Sequence, residues 1–89
     1  MASVFFTPQL RRFTSTPEVQ TGAPTLREAL EAAFAINPQL RGYVLDEQGE
    51  LRKHMAVFLD GRMIRDRAGL TDAVRPDSKL YVMQALSGG

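Results

Sequence analysis

The sequence has 89 residues, no cysteine, and a formal net charge of +1 from 11 basic and 10 acidic residues. This length predicts one domain with a single modest core. The balanced charge argues against nucleic-acid binding through phosphates, and the lack of cysteine excludes disulfides, thiolate catalysis and the common structural zinc sites. Because no signal peptide or membrane-spanning segment is recognisable, we expect a soluble, cytoplasmic protein that binds neither nucleic acid nor membrane.

The first half of the chain predicts two strands followed by a helix. An apolar run at residues 3–7 and a second segment at residues 18–21 predict strands that pair as a hairpin with a long connection. Thr25 and Glu28 have the spacing of a capping box, in which two side chains satisfy backbone donors at a helix start. Apolar residues then recur at helical spacing up to an Asn-Pro dipeptide, which predicts a helix over Leu26–Ile36.

The centre of the chain predicts three further strands. Residues 43–45 are the first candidate, and apolar residues alternate over residues 55–59 with the period of a pleated strand. Asp60-Gly61 is a two-residue hairpin signal that leads into another short strand at residues 62–64.

The last part of the chain predicts one helical turn at residues 68–74 and a final strand at residues 79–86. Strands before and after a single main helix indicate the α+β class, with the helix covering one face of a mixed sheet. The sequence shows no repeat and no linker.

The chain has few groups that could catalyse a reaction. His54 is the only histidine, and we expect it to be exposed without a special role. One histidine without cysteine argues against a transition-metal site, and Asp46, Glu47 and Glu50 lie in a predicted turn without calcium-loop spacing. We therefore expect no catalytic residue, no metal and no bound cofactor.

The last two residues of the sequence, Gly88 and Gly89, are its strongest functional signal. Two glycines can enter a narrow channel and bring a terminal carboxylate into another protein's active site. That carboxylate becomes an acyl donor once ATP adenylates it, and sulfide or a thiol can then attack. In a chain without cysteine, carried sulfur must be held at the terminus.

The chain resembles the MoaD/ThiS family of ubiquitin-like sulfur carriers, and within it the CysO type. The resemblance runs over nearly the whole sequence, and its motifs occur at residues 25–30, 51–61, 69–71 and 80–89. It implies a β-grasp fold, in which a mixed sheet packs on one main helix. Residues 1–86 would form the β-grasp domain, and residues 87–89 a flexible Ser-Gly-Gly tail.

The resemblance also implies the partners. An E1-like adenylyltransferase of the MoeB/ThiF type would use ATP to adenylate Gly89. A sulfur donor, either a sulfurtransferase or a desulfurase, would then supply the sulfur of a thiocarboxylate. An acceptor synthase would use that sulfur in the synthesis of molybdopterin, cysteine or a similar product. The chain would be a protein co-substrate, or the small subunit of a sulfur-transferring synthase, rather than an enzyme.

Strand alternation predicts where such partners bind. If the apolar residues of the last strands face the helix, then Phe58, Tyr81 and Met83 face away from it. Aromatic and methionine side chains on an open sheet face are typical of a docking surface. We predict that these three residues, together with Leu86, bind a partner.

Two alternative functions remain open from the sequence. The first is a ubiquitin-like modifier that is attached to lysines through Gly89. The second is a noncovalent β-grasp interaction module in which the two terminal glycines are incidental. The modifier predicts isopeptide-linked targets, whereas the interaction module predicts that deletion of Gly89 changes nothing.

Overall fold

The computed structural model describes residues 1–7 and 18–84, which form one mixed sheet and two helices. The strands are β1 (Ala2–Phe6), β2 (Val19–Thr21), β3 (Met55–Leu59), β4 (Arg62–Met63) and β5 (Lys79–Gln84). The helices are α1 (Leu26–Ile36) and α2 (Gln39–Val44). The strand order is β2-β1-β5-β3-β4, in which β1 and β5 are parallel and the other pairs are antiparallel.

Helix α1 has the bounds that the sequence predicts. The hydroxyl of Thr25 accepts a hydrogen bond from the backbone N–H of Glu28 at 3.3 Å, which satisfies one free donor of the first turn. The buried face of α1 packs on the sheet and consists of Leu26, Ala29, Leu30, Ala33 and Phe34. The prediction that this helix covers one face of the sheet is therefore confirmed.

The core lies between α1 and the inner face of the sheet. Side chains on that face alternate with outward-facing ones in every long strand, as a period of two requires. The buried strand residues are Ala2, Val4, Phe6, Val19, Met55, Val57, Leu80 and Val82. This alternation fixes the register, because a shift of one residue would turn the apolar set to solvent.

The strand predicted at residues 43–45 is wrong. Residues up to Val44 belong to α2, and Leu45 forms only an isolated bridge with Leu51. Leu40 and Val44 are four residues apart, so a helix places both on one face, and both are buried in the core. The burial of this pair outweighs the strand preference of a short Tyr-Val-Leu run.

The helical turn predicted at residues 68–74 is also wrong, because the side chain of Asp66 organises this segment differently. Its carboxylate accepts hydrogen bonds from the N–H of Gly69 at 2.8 Å and from the hydroxyl of Thr71 at 2.6 Å. These bonds hold the pKa of Asp66 below its ordinary value, the Thr71 hydroxyl having the largest effect. The resulting turn ends at Leu70, whose φ is 55°, and the backbone of residues 72 and 74 then hydrogen-bonds to Leu26 and Pro24 instead of continuing as a helix.

The hairpin between β3 and β4 confirms the prediction from Asp60-Gly61. Both residues have positive φ, 52° for Asp60 and 83° for Gly61, which matches the two-residue turn favoured between twisted strands. The final strand is confirmed as far as Gln84. The rest of that predicted strand, and the boundary between residues 1–86 and 87–89, lie outside the described residues.

Candidate functional site

The outer face of the sheet carries a continuous group of large apolar side chains. We call this group the open-face patch; it consists of Phe5, Phe58, Met63, Tyr81 and Met83. Sheet register brings its members together, since Tyr81 pairs with Phe5 on one side and Phe58 on the other, and Phe58 also pairs with Met63. Met63, Tyr81 and Met83 are exposed, and both phenylalanines are half-buried. The patch therefore crosses four of the five strands.

Tyr81 lies at the centre of this patch. Its ring stacks on Phe5 with centroids 5.1 Å apart and an angle of 20° between the ring planes. Its strand, β5, is held by hydrogen bonds to β1 and β3 on both sides, so the backbone beneath the ring is fixed. A partner would therefore meet an aromatic surface that loses little side-chain freedom on binding.

The structure places Phe58, Tyr81 and Met83 on the outer face, as strand alternation predicted. Their role in binding a partner stays a prediction, and Leu86 lies outside the described residues. The sequence reasoning missed Phe5 and Met63. The alternation of Phe5 with buried Val4 and Phe6 was a usable signal for the first of these residues.

The predicted sulfur-carrying residues, Gly88 and Gly89, also lie outside the described part of the chain. The structure does define where the preceding strand leads. The last described residue of β5, Gln84, pairs with Met55 at the start of β3, and Met83 pairs with Ala56. The route to the C-terminus therefore begins beside the open-face patch.

Arg67 holds the backbone at this end of the sheet. One of its guanidinium nitrogens donates to the carbonyl oxygens of Arg52 at 2.6 Å and Met55 at 2.9 Å. The backbone carbonyl of Arg67 accepts from the N–H of Leu51 at 2.8 Å. Arg67 is therefore half-buried and fixes the start of β3, unlike the exposed Arg62 and Arg65.

At the opposite end of β3, Asp60 ties the hairpin to β5. Its carboxylate accepts from the backbone N–H of Lys79 at 2.9 Å and from the hydroxyl of buried Ser78 at 2.7 Å. These two bonds, that from Lys79 first, hold the pKa of Asp60 below its ordinary value, and Arg75 and Arg62 lower it further. The ionised carboxylate is thus the form that the fold stabilises.

The other candidate groups form no reactive arrangement in the part of the chain that the structure covers. His54 is exposed, and the carboxylate of Asp46 accepts from the backbone N–H groups of Gln48 and Glu50 within its turn. Within residues 1–7 and 18–84, no three histidine or acidic side chains are grouped so that they could hold a metal ion. Neither described helix has the length and apolar character needed to cross a bilayer.

A mixed sheet with a central parallel pair, packed on one main helix, is the β-grasp fold of ubiquitin-like proteins. The sequence matches the ThiS family over residues 4–89, a range that includes both terminal glycines. The chain therefore belongs to the ThiS family. No curated protein sequence matches it significantly.

Solved structures of low sequence identity share this fold. SAMP1 from Haloferax volcanii is 24% identical with a TM-score of 0.77, and the match covers 99% of this chain and 98% of that one. In the BexX/CysO complex from Amycolatopsis orientalis, the matching chain is 20% identical, with a TM-score of 0.82 and complete coverage of both chains. The small archaeal modifier protein 1 (SAMP1) from Methanosarcina acetivorans is 20% identical with a TM-score of 0.78, covering 99% and 95%. These likenesses confirm the predicted β-grasp fold.

Proposed function

We propose that this protein is a sulfur carrier whose Gly89 carboxylate is adenylated and then converted to a thiocarboxylate. The observation that carries the proposal is the ThiS family match, which extends through Gly88 and Gly89. The balanced charge and the lack of cysteine are consistent with a carrier that holds sulfur at its terminus rather than on a side chain. The chain would act as a protein co-substrate in the cytoplasm, not as an enzyme.

The proposed chemistry has two steps. In the first, the Gly89 carboxylate attacks the α-phosphate of ATP, which forms an acyl adenylate and releases pyrophosphate. In the second, sulfide attacks the acyl carbon, so that a carbon–sulfur bond forms, the bond to AMP breaks and AMP leaves. An E1-like enzyme of the MoeB/ThiF type would bind the ATP and supply the catalytic groups for both steps. A sulfurtransferase or desulfurase would deliver the sulfur as a persulfide, from which a reducing thiol releases sulfide as the two thiol sulfurs become a disulfide. An acceptor synthase would then consume the thiocarboxylate.

An exposed apolar surface beside the route to the terminus supports this proposal. Five residues follow Gln84, and an extended chain spans at most about 3.3–3.6 Å per residue, so Gly89 reaches at most about 18 Å from the end of β5. A partner seated on Tyr81 and Met83 would therefore hold its active site within reach of the carboxylate. The BexX/CysO complex supports the view that a carrier of this fold works with a partner protein.

The first step can be tested by ATP–pyrophosphate exchange with a purified MoeB/ThiF-type enzyme. We expect exchange to depend on this protein, to saturate with its concentration, and to disappear when Gly89 is deleted. The Gly89 deletion leaves the whole described domain unchanged, so it is a matched control for folding. Equal exchange with and without Gly89 would contradict the proposal and favour a noncovalent interaction module.

A second candidate function is favoured by the likeness to small archaeal modifier proteins. In this alternative, target lysines attack the same adenylate, or a thioester derived from it, and become linked to Gly89. Trypsin would cut after Lys79, because residues 80–89 contain no lysine or arginine, and would leave a ten-residue branch on each modified lysine. Branched peptides carrying LYVMQALSGG in cell extracts would establish conjugation, whereas a free thiocarboxylate without such peptides would establish a carrier only.

A further inference from the structure

A second surface lies beyond the edge of the sheet. It is a groove of about 230 Å³ between the β3–β4 hairpin and residues 72–75. Its apolar lining includes half-buried Leu59 and buried Ile64, and three arginines, Arg62, Arg65 and Arg75, line it as well. We call it the arginine groove. Its combination of apolar and cationic groups differs from the open-face patch, which carries no charged side chain.

The two carboxylates in the arginine groove are already occupied by donors of this chain. Both oxygens of Asp60 accept hydrogen bonds, from Lys79 and Ser78. Both oxygens of Asp72 accept from backbone N–H groups, those of Asp66 at 2.9 Å and Arg65 at 3.0 Å. These acids therefore serve the local fold rather than the arginine side chains.

The three guanidinium groups, by contrast, have no direct hydrogen-bond partner in the described part of the chain. Within residues 1–7 and 18–84, none of them forms an ion pair or a side-chain hydrogen bond, although Arg62 and Arg75 are near enough to Asp60 to lower its pKa. The other basic side chains with local roles behave differently, since Arg27, Arg52 and Arg67 donate to backbone carbonyls. Each guanidinium in the groove can donate two parallel hydrogen bonds to a carboxylate.

The groove is continuous with the open-face patch through Met63. This residue lies opposite Phe58 in the sheet register and also lines the groove. A protein that covers the open face would reach the groove by passing over β4, which is an edge strand of only two residues. The same partner can therefore contact both surfaces.

We propose that the arginine groove receives an acidic segment of the activating enzyme, with carboxylates on Arg62, Arg65 and Arg75 and an aliphatic side chain against Leu59 and Ile64. This inference rests on the proposed function, because it assigns the second contact made by the same partner. The apolar lining favours a peptide segment over an inorganic anion, which would gain nothing from it. The groove would orient the enzyme while the open-face patch supplies most of the buried area.

The test uses ATP–pyrophosphate exchange with the MoeB/ThiF-type enzyme, measured against the concentration of this protein at low and high salt. For the double variant Arg62→Gln/Arg65→Gln we expect KM to rise about tenfold at low salt, since two charged contacts are lost, with kcat unchanged. The dependence of KM on salt should become weaker in this variant. The variant Arg62→Lys/Arg65→Lys, which keeps the charge but not the paired geometry, should recover only part of the loss.

The control variant Arg41→Gln removes one positive charge from α2, where Arg41 pairs with Glu31 away from the groove. We expect its KM to equal that of the wild type. An unchanged KM in the Arg62→Gln/Arg65→Gln variant, or a loss of kcat alone, would overturn the groove proposal while leaving the proposed function in place. Absence of exchange with the wild type would instead refute the proposed function, so the two failures are distinguishable.

Discussion

Replacing Tyr81 by aspartate tests whether the open-face patch is a docking surface. Tyr81 is 45% exposed, and its ring stacks on Phe5 at the centre of the patch. We expect the Tyr81→Asp variant to remain folded and to bind the MoeB/ThiF-type enzyme more weakly. The expected effect on affinity follows from the area that a partner would cover.

A tyrosine side chain presents about 200 Å², so the exposed 45% of Tyr81 is about 90 Å². At about 25 cal/mol per Å², covering it contributes about 2 kcal/mol, or about a 30-fold change in Kd. The same substitution costs about 3–4 kcal/mol of folding stability, from the lost stack and the buried part of the side chain. A domain of this length has roughly 4–13 kcal/mol of stability, nearly all of which range exceeds that loss, so we expect the variant to stay folded.

Calorimetric titration into the enzyme measures the affinity, and thermal unfolding followed by circular dichroism measures the stability. Gln20→Asp is the matched control, because Gln20 is exposed on the same sheet face at the distant edge strand β2 and gains the same charge. Tyr81→Phe keeps the ring and should bind nearly as well as the wild type. An unchanged Kd for Tyr81→Asp would refute docking on this residue, and an unfolded variant would show that Tyr81 acts as core.

Three further predictions concern the local structure. Gly69→Ala should lower the free energy of unfolding by about 1–3 kcal/mol in a urea titration, because the new Cβ would lie 2.7 Å from an Asp66 oxygen that binds Thr71. The control Gly42→Ala, whose new Cβ would meet no atom within 4 Å, should be neutral or slightly stabilising in the same titration. Arg27→Lys should cost about 1–2 kcal/mol, since the guanidinium donates to three backbone carbonyls, and an unchanged urea midpoint would contradict this. Asp60→Asn should lower stability by about 1 kcal/mol at pH 7. Because the fold lowers the pKa of Asp60 from 3.8, the stability difference between wild type and variant is present above about pH 4 and disappears as the pH falls through the lower folded pKa. An equal stability difference at all pH values would contradict this prediction.

The sequence predicted those elements whose signal is local. Helix α1 has a capping residue and a regular apolar face, the β3–β4 hairpin has the residue types that tolerate positive φ, and β5 alternates cleanly. That alternation alone predicted that Phe58 and Tyr81 lie on the sheet face away from α1, without knowledge of which strands pair. Periodicity over five or more residues was therefore sufficient to place three of the five members of the open-face patch.

The errors occurred where long-range contacts decide the local structure. Residues 43–45 look like a strand in isolation, and only the burial of Leu40 together with Val44 makes them the end of α2. The role of Arg67 could not be predicted from the sequence, because its carbonyl partners are 12 and 15 residues away in the chain. Phe5 was missed as a patch member, because the parallel pairing of β1 with β5 joins opposite ends of the sequence.

The central claim, sulfur loading at Gly89, is tested most directly by intact mass after incubation with a MoeB/ThiF-type enzyme, ATP and sulfide. Exchange of one oxygen for sulfur changes the mass nearly as much as oxidation of one of the 4 methionines, so the product must also be treated with an alkylating agent. We predict an alkylatable shift in the full chain, located in the tryptic peptide 80–89, and none in the variant lacking Gly89. A shift that resists alkylation, or one that persists without Gly89, would contradict the account.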